Sequence, residues 1–304
     1  MNAIFKLLGF SAIILGSALL QGEQLFHDTF ESADMSQTNS QGFFWENNNR
    51  TSVVYGDGTR SEAVWNNGPI SNVTELDWQA WKGNHSLRFR WPAGKNWSEQ
   101  RFNLGTAEKE IWLSYFIRVP HNYRHCTSCD RQNNKFFAFW MDGYEARGVG
   151  STFWLSMEPA GGGNTNLAFT YSEGNNTASR GYQQRTPFIN IETDRGRWMQ
   201  IVIHLKTESS NGTDDGIVET WRRWSDDTTF TQLHSNSNVG FNIPDGGPQG
   251  FLRGYLFGWA NGPYAENTDW LLDEFKISTT SLLETGPVSA RPMPATNFSA
   301  RKVQ

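Results

Sequence analysis

Beyond residue 22 apolar and polar residues exchange at every second position, over runs of six to ten, and clusters of Gly, Asn, Asp and Pro close each run. That period belongs to half-buried strands joined by tight turns, and no long helical period competes with it. Eleven strands are predicted: Gln24–Phe30, Ser86–Trp91, Glu99–Leu104, Glu110–Val119, Lys135–Met141, Thr152–Met157, Asn166–Ser172, Arg197–Lys206, Gly216–Trp224, Gly250–Trp259 and Trp270–Ser278. The same alternation sorts residues by face. Met199, Ile201, Ile203 and Leu205 oppose Trp198, Gln200, Val202, His204 and Lys206. Phe153, Leu155 and Met157 oppose Thr152, Trp154, Ser156 and Glu158, while Gln100, Phe102 and Leu104 oppose Glu99, Arg101 and Asn103. One face is core and the other mixes rings with polar groups. The expected fold is all-β, a two-sheet antiparallel β-sandwich or jelly roll.

The ends depart from this pattern. Residues 1–22 read as a signal peptide: one Lys6, an apolar run from Leu7 to Leu15, then Gly16-Ser17-Ala18, too short for a membrane span of about 20 residues. Residues 284–304 form a Pro-rich polar tail, so the expected domain runs over 23–283. The expectation is a secreted or periplasmic protein, monomeric, with no membrane contact once the signal is cleaved. In such a compartment Cys126 and Cys129, the only cysteines and a C-x-x-C pair, are expected to form a disulfide rather than half of a zinc site with His121 or His125.

Composition narrows the function. With 37% hydrophobic residues, 14 Trp and 21 Phe the chain is neither a multi-span membrane protein nor disordered. A net charge of −5 gives no overall basic field for nucleic acid. Residues 80–135 differ: ten basic side chains against four acidic ones, +6, leave −11 for the remainder. The expectation is a basic surface for an acidic polymer. Faces carrying both rings and polar groups suit sugars, whose apolar faces stack while their hydroxyls and carboxylates take hydrogen bonds.

Three segments carry a resemblance. Leu25-Phe26-His27-Asp28-Thr29-Phe30-Glu31-Ser32 is similar to the opening strand of concanavalin A-like lectin/glucanase domains. Trp270-Leu271-Leu272-Asp273-Glu274-Phe275-Lys276-Ile277-Ser278 is similar to their closing strand. Gly196-Arg197-Trp198, followed by Asp215-Gly216-Ile217-Val218-Glu219-Thr220-Trp221, resembles their "G-x-W, then D-G-x-x-E-x-W" hairpin. Within that superfamily the chain looks most like secreted polysaccharide lyases acting on alginate or glucuronan; Lys135, after Asn133-Asn134, falls where those proteins carry a lysine-bearing strand. The Gly-Lys-Leu-Pro-Gly stretch of the alginate-cleaving members is absent. The resemblance also implies a structural Ca²⁺ near the first and last strands, with Asp28, Glu31 and Asp273 as candidate ligands; no other cofactor is required.

Chemistry favours elimination over hydrolysis. A retaining glucanase needs two carboxylates about 5–5.5 Å apart, and the adjacent Asp273 and Glu274 face opposite ways on a strand. β-Elimination on a uronate needs a cation at the C6 carboxylate, a base for the C5 proton and an acid for the leaving oxygen. Arg101 is the expected carboxylate partner. Lys135, His204, Tyr115, Tyr171 and Tyr255 are the candidates for the proton steps, Trp154 and Trp259 for stacking, and Asn134 and Gln200 for hydrogen bonds to sugar. Two function classes follow: a lyase acting on an acidic polysaccharide, or a non-catalytic lectin-like protein of the same fold. A structural or adhesive surface protein is a third.

Overall fold

The computed structural model describes residues 24–55, 78–126 and 133–284; the signal segment, most of the tail and Cys129 lie outside them. Fifteen strands account for nearly all the regular structure there: β1 (Gln24–Asp28), β2 (Phe44–Asn49), β3 (Thr51–Tyr55), β4 (His85–Trp91), β5 (Trp97–Glu108), β6 (Glu110–Arg118), β7 (Asn134–Trp140), β8 (Thr152–Pro159), β9 (Thr165–Ser172), β10 (Gln183–Ile189), β11 (Trp198–Lys206), β12 (Gly216–Trp224), β13 (Thr231–Val239), β14 (Phe251–Trp259) and β15 (Thr268–Ser278). Each of the eleven predicted strands has its counterpart. No helix among the described residues is long and apolar enough to cross a membrane.

The strands form two antiparallel sheets. One has eight, ordered β13-β12-β11-β6-β15-β4-β3, with β1 also paired to β15; the other has seven, ordered β10-β9-β8-β7-β14-β5-β2. The inward positions read from the sequence meet between the sheets: Met199, Ile201, Ile203 and Leu205 of β11 share one core with Phe153, Leu155 and Met157 of β8 and with Phe102 and Leu104 of β5. Rings join the layers. Phe102 lies 5.4 Å from Phe275 of β15 and Phe257 of β14 lies 4.8 Å from Phe89 of β4, centroid to centroid, edge-on and tilted contacts that add to the area they bury.

Two strands in the middle of the seven-stranded sheet break step at the same level. β7 shifts register against β8 between Lys135 and Phe137, which sends both Phe136 and Phe137 into the core. β14 pairs with β7 only as far as Leu256 opposite Phe137. It then passes through Phe257 at φ +58° and Gly258 at φ +131°. Such irregularities re-aim the side chains beside them.

Candidate active site on the outer face of the seven-stranded sheet

The outer face of this sheet is built from the residues that alternate with the core. Arg101 on β5 pairs in register with Tyr255 on β14, Tyr255 with Ala138 on β7, and Ala138 with Trp154 on β8. Ala138, Trp140, Trp154 and Tyr255 form an apolar cluster of their own, separate from the core. Over it folds the segment after β7, placing Tyr144 at 37% exposure with its ring 5.2 Å from Tyr255, 5.1 Å from Trp140 and 6.1 Å from Trp154. The two tyrosine hydroxyls are 2.9 Å apart. Burial, and then the neighbouring Tyr144, push the Tyr255 hydroxyl well above the usual tyrosine range, so Tyr255 stays protonated while Tyr144 presents the accessible end of the pair.

Arg101 is held from one side. Its Nε donates to Glu99 Oε1 at 2.6 Å, while Trp97 Nε1 donates to Glu99 Oε2 at 3.2 Å. The guanidinium lies 5.8 Å from the centroids of both Trp140 and Tyr144. With Nε engaged, the two terminal nitrogens are left to grip a carboxylate in the planar, two-point manner that guanidinium favours.

Lys135 stands next to this group. Its Nζ is 6.0 Å from the Trp154 centroid, and among the described residues it has no ion pair. Burial lowers its pKa below the ordinary lysine value, the direction expected of an ammonium moved out of water without compensation. Gly258 reports how closely the groups converge. A Cβ there would stand 3.2 Å from Glu99 Oε2, 3.2 Å from the Tyr255 ring and 3.3 Å from Lys135 Cβ. Lys135, Tyr144, Trp154, Thr170 and Tyr182 line a cavity of about 370 Å³. Tyr182 also lines a second hollow, of about 820 Å³, beside the β8–β9 turn, with Glu158, Asn164, Asn166 and Arg185. At the opposite end Trp97 and Trp259, register partners, are 38% and 50% exposed.

The structure thus brings Arg101, Lys135, Tyr255 and Trp154 together, with Trp259 at the rim, and separates the other candidates. His204 lies on the outer face of the eight-stranded sheet. It is clasped by Glu219 at 2.8 Å and Glu110 at 3.0 Å and stacked on Trp112 at 4.0 Å. Gln200 is on that same face, bonded to Ser114 and Arg223. Tyr115 and Tyr171 point inward with the core; burial raises the pKa of both. Asn134 is buried, and its amide ties down the backbone of Gly262. Cys126 lines the larger hollow, and the pairing expected with Cys129 falls outside the described residues.

The basic run at 80–135 does not make one surface. Arg90 pairs with Asp269 on the eight-stranded sheet and Lys82 with Glu274, while Arg101 and Lys135 belong to the cleft. Nor do the three carboxylates suit a calcium ion. Asp28 accepts from Phe30 N and Trp45 Nε1, and Asp273 from Glu274 N and Lys82 N. Glu31 takes two backbone N–H groups on Oε1 and His85 on Oε2. Every oxygen already has a protein partner, and among the described residues no three His, Cys, Asp or Glu side chains gather as a metal-holding group.

Sequence reasoning missed Tyr144, which lies outside any strand, and Trp97, which precedes the predicted strand, and gave Glu99 a face but no role. The only signal for Tyr144 was an aromatic residue in a Gly-rich segment after the lysine strand.

No protein-family model matches the chain, and no curated protein matches it. Solved structures do. A mutant of alginate lyase Aly36B in complex with alginate trisaccharide is 11% identical, with a TM-score of 0.47, 63% of this chain and 80% of that one being covered. Alginate lyase vAL-1 from Chlorella virus is 10% identical, with a TM-score of 0.43 over 64% of this chain and 84% of that one. The exoplasmic/lumenal domain of VIP36 in its Ca²⁺/Man2-bound form is 8% identical, with a TM-score of 0.46 over 83% and 87%. At 8–11% identity and TM-scores of at most 0.47, these are distant structural likenesses, to two alginate lyases and one lumenal domain.

Proposed function

We propose that the protein is an exported polysaccharide lyase that cleaves a uronate-containing polymer by β-elimination in the cleft of the seven-stranded sheet. The observation that carries this reading is Lys135: a lysine without a counterion among the described residues, its pKa lowered by burial, beside a cation and a hydrogen-bonded tyrosine pair. A structural lysine would be paired or would extend into water. One held back from its charge is suited to take a proton.

The geometry supports the following roles. The terminal nitrogens of Arg101 bind the C6 carboxylate, neutralising it and stabilising the charge that spreads onto it when C5 loses its proton. Lys135 removes that proton as the neutral amine. The C4–O bond breaks as the C4=C5 double bond forms, and the departing oxygen takes a proton from Tyr144. Tyr255, with a pKa too high to ionise, fixes the Tyr144 hydroxyl through their hydrogen bond. Glu99 orients Arg101, and Trp154, 5% exposed, backs the cavity against which the sugar lies.

The test is ultraviolet absorbance of the purified protein with alginate, glucuronan and related polyuronates, since elimination makes a conjugated 4,5-unsaturated uronate and hydrolysis or binding does not. A rise on at least one polymer that disappears in Lys135→Ala and Arg101→Ala is the expected result. Exposed Trp97 and Trp259 favour the second reading, a lectin-like binder. Retained glycan binding with no absorbance on any polymer would establish that reading and remove the first.

A further inference from the structure

The groups that can move protons in the cleft all rise from one side of it. Lys135 is opposite Ser156 on β8, and its Nζ lies 6.0 Å from the Trp154 centroid. The Tyr144 ring lies 6.1 Å from that same indole, with its hydroxyl on Tyr255. The floor between them is closed: Ala138 is 0% exposed, Tyr255 1%, Trp140 3% and Trp154 5%. A sugar ring therefore cannot wedge down between the lysine and the tyrosine, and rests above both. Ser179, Gly181 and Tyr182 form the far wall of the cavity. Of these only Tyr182 titrates, and its hydroxyl bonds Ser156, so that group too ends at floor level beside Lys135. Glu145 belongs to the same segment as Tyr144, and no histidine among the described residues lines the cavity.

β-Elimination takes a hydrogen from C5 and an oxygen from C4, and each must come within hydrogen-bond reach of its base or acid. When base and acid both meet the sugar from one side, hydrogen and oxygen have to leave from that side. They share a side of the ring in D-glucuronate and D-mannuronate. In L-guluronate and D-galacturonate they stand on opposite sides, and a base above one face then calls for an acid beneath the other. We propose, on the lyase reading above, that the protein cleaves only 4-linked uronates whose C5 hydrogen and C4 oxygen are cis, D-glucuronate or D-mannuronate, and leaves their trans counterparts intact. The step balances within the site. The C5–H electrons form the C4=C5 double bond, and the C4–O pair departs with the oxygen. Lys135 gains the C5 proton, and Tyr144 gives one to that oxygen.

The experiment measures kcat from the rise in absorbance on four homopolymers, each taken to saturation. Polymannuronate and polyglucuronate carry cis uronates, while polyguluronate and polygalacturonate carry trans ones. Polymannuronate and polyguluronate differ only in configuration at C5, so their charge density is the same and a difference between them reads geometry. The expected result is turnover of at least one cis polymer. On each trans polymer kcat should be at least tenfold lower, since a proton-transfer group out of reach forfeits about 10²–10⁴-fold. A trans polymer turned over within tenfold of the better cis polymer, or faster, overturns the inference and leaves the lyase reading standing. Absorbance on none of the four removes the lyase reading, and the inference falls with it.

Discussion

At the scale of single residues, Lys135 sets function against stability. Its folded pKa lies below the ordinary lysine value of 10.5 because burial disfavours the ammonium. The unfolded chain therefore holds more protons between those two values. The penalty is fully present below the folded pKa and is relieved as pH rises toward 10.5. Lys135→Met keeps a flexible stem against Trp154 and removes the charge, so it should melt higher than the parent near neutral pH while showing no elimination. Melting curves and the absorbance assay on one preparation check this, and a lower melting temperature would mean that the ammonium is compensated after all. The tyrosines should separate as well. Tyr144→Phe removes the proposed acid and should lower kcat by about 10²–10⁴-fold. Tyr255→Phe loses only the group that holds Tyr144, and steady-state rates should show a smaller fall. Arg101, Tyr255 and Trp154 were legible because each alternates with core residues on a strand. His204 carried the same pattern and sits on the other sheet. Period two tells which side of a strand faces out, and only strand pairing tells which sheet that side belongs to. Tyr144, in a segment without a period, offered only an aromatic among glycines.

At the scale of elements, the cleft depends on the break in β7 and β14. Gly258 adopts φ +131°, where a side chain costs on the order of 1–3 kcal/mol. The Cβ it lacks would fall between Glu99, Tyr255 and Lys135. Gly258→Ala should therefore destabilise the fold moderately and depress cleavage and sugar binding far more. A circular-dichroism melt beside a binding isotherm tests this, and unchanged binding would show that nothing passes over Gly258. The strands that sequence did not predict are equally instructive. They are β2, β3, β10 and β13, the four that end the ordered paths of the two sheets. β2, β10 and β13 bury less and alternate weakly, while β3 is short and buried on both faces from Thr51 to Val54. β13 reads Thr-Gln-Leu-His-Ser-Asn-Ser-Asn-Val, and β10 carries Pro187, a residue that central strands exclude. Their pairing is imposed by neighbours rather than announced by their own pattern.

Across the whole molecule, the two sheets are also sewn together along one side. Gln184 and Thr186 of β10 bond the backbone of Ser235 and Leu233 on β13. Beside them His234 of β13 donates from Nε2 to Leu167 O of β9 at 3.1 Å and accepts the Thr220 hydroxyl at Nδ1, 2.7 Å away. Burial lowers the pKa of this imidazole to about 4. Protonation favours the unfolded chain between that value and 6.5, so stability is complete above pH 6.5 and falls as pH drops to 4. The full loss is about 3 kcal/mol. His234→Gln can make both bonds without titrating and should flatten the change. Denaturant midpoints at pH 7 and pH 4.5 read it, and equal losses in parent and variant would place the acid sensitivity elsewhere. The pairing of β1 with β15 bears on how the protein can be handled. Gln24 and Ser278 are register partners on the eight-stranded sheet, so the chain enters and leaves the sandwich at one spot, on the layer that does not carry the cleft. A linker fused at either end, or a bead coupled through it, would hold the domain by its back and leave the cleft open to a long polymer sliding across.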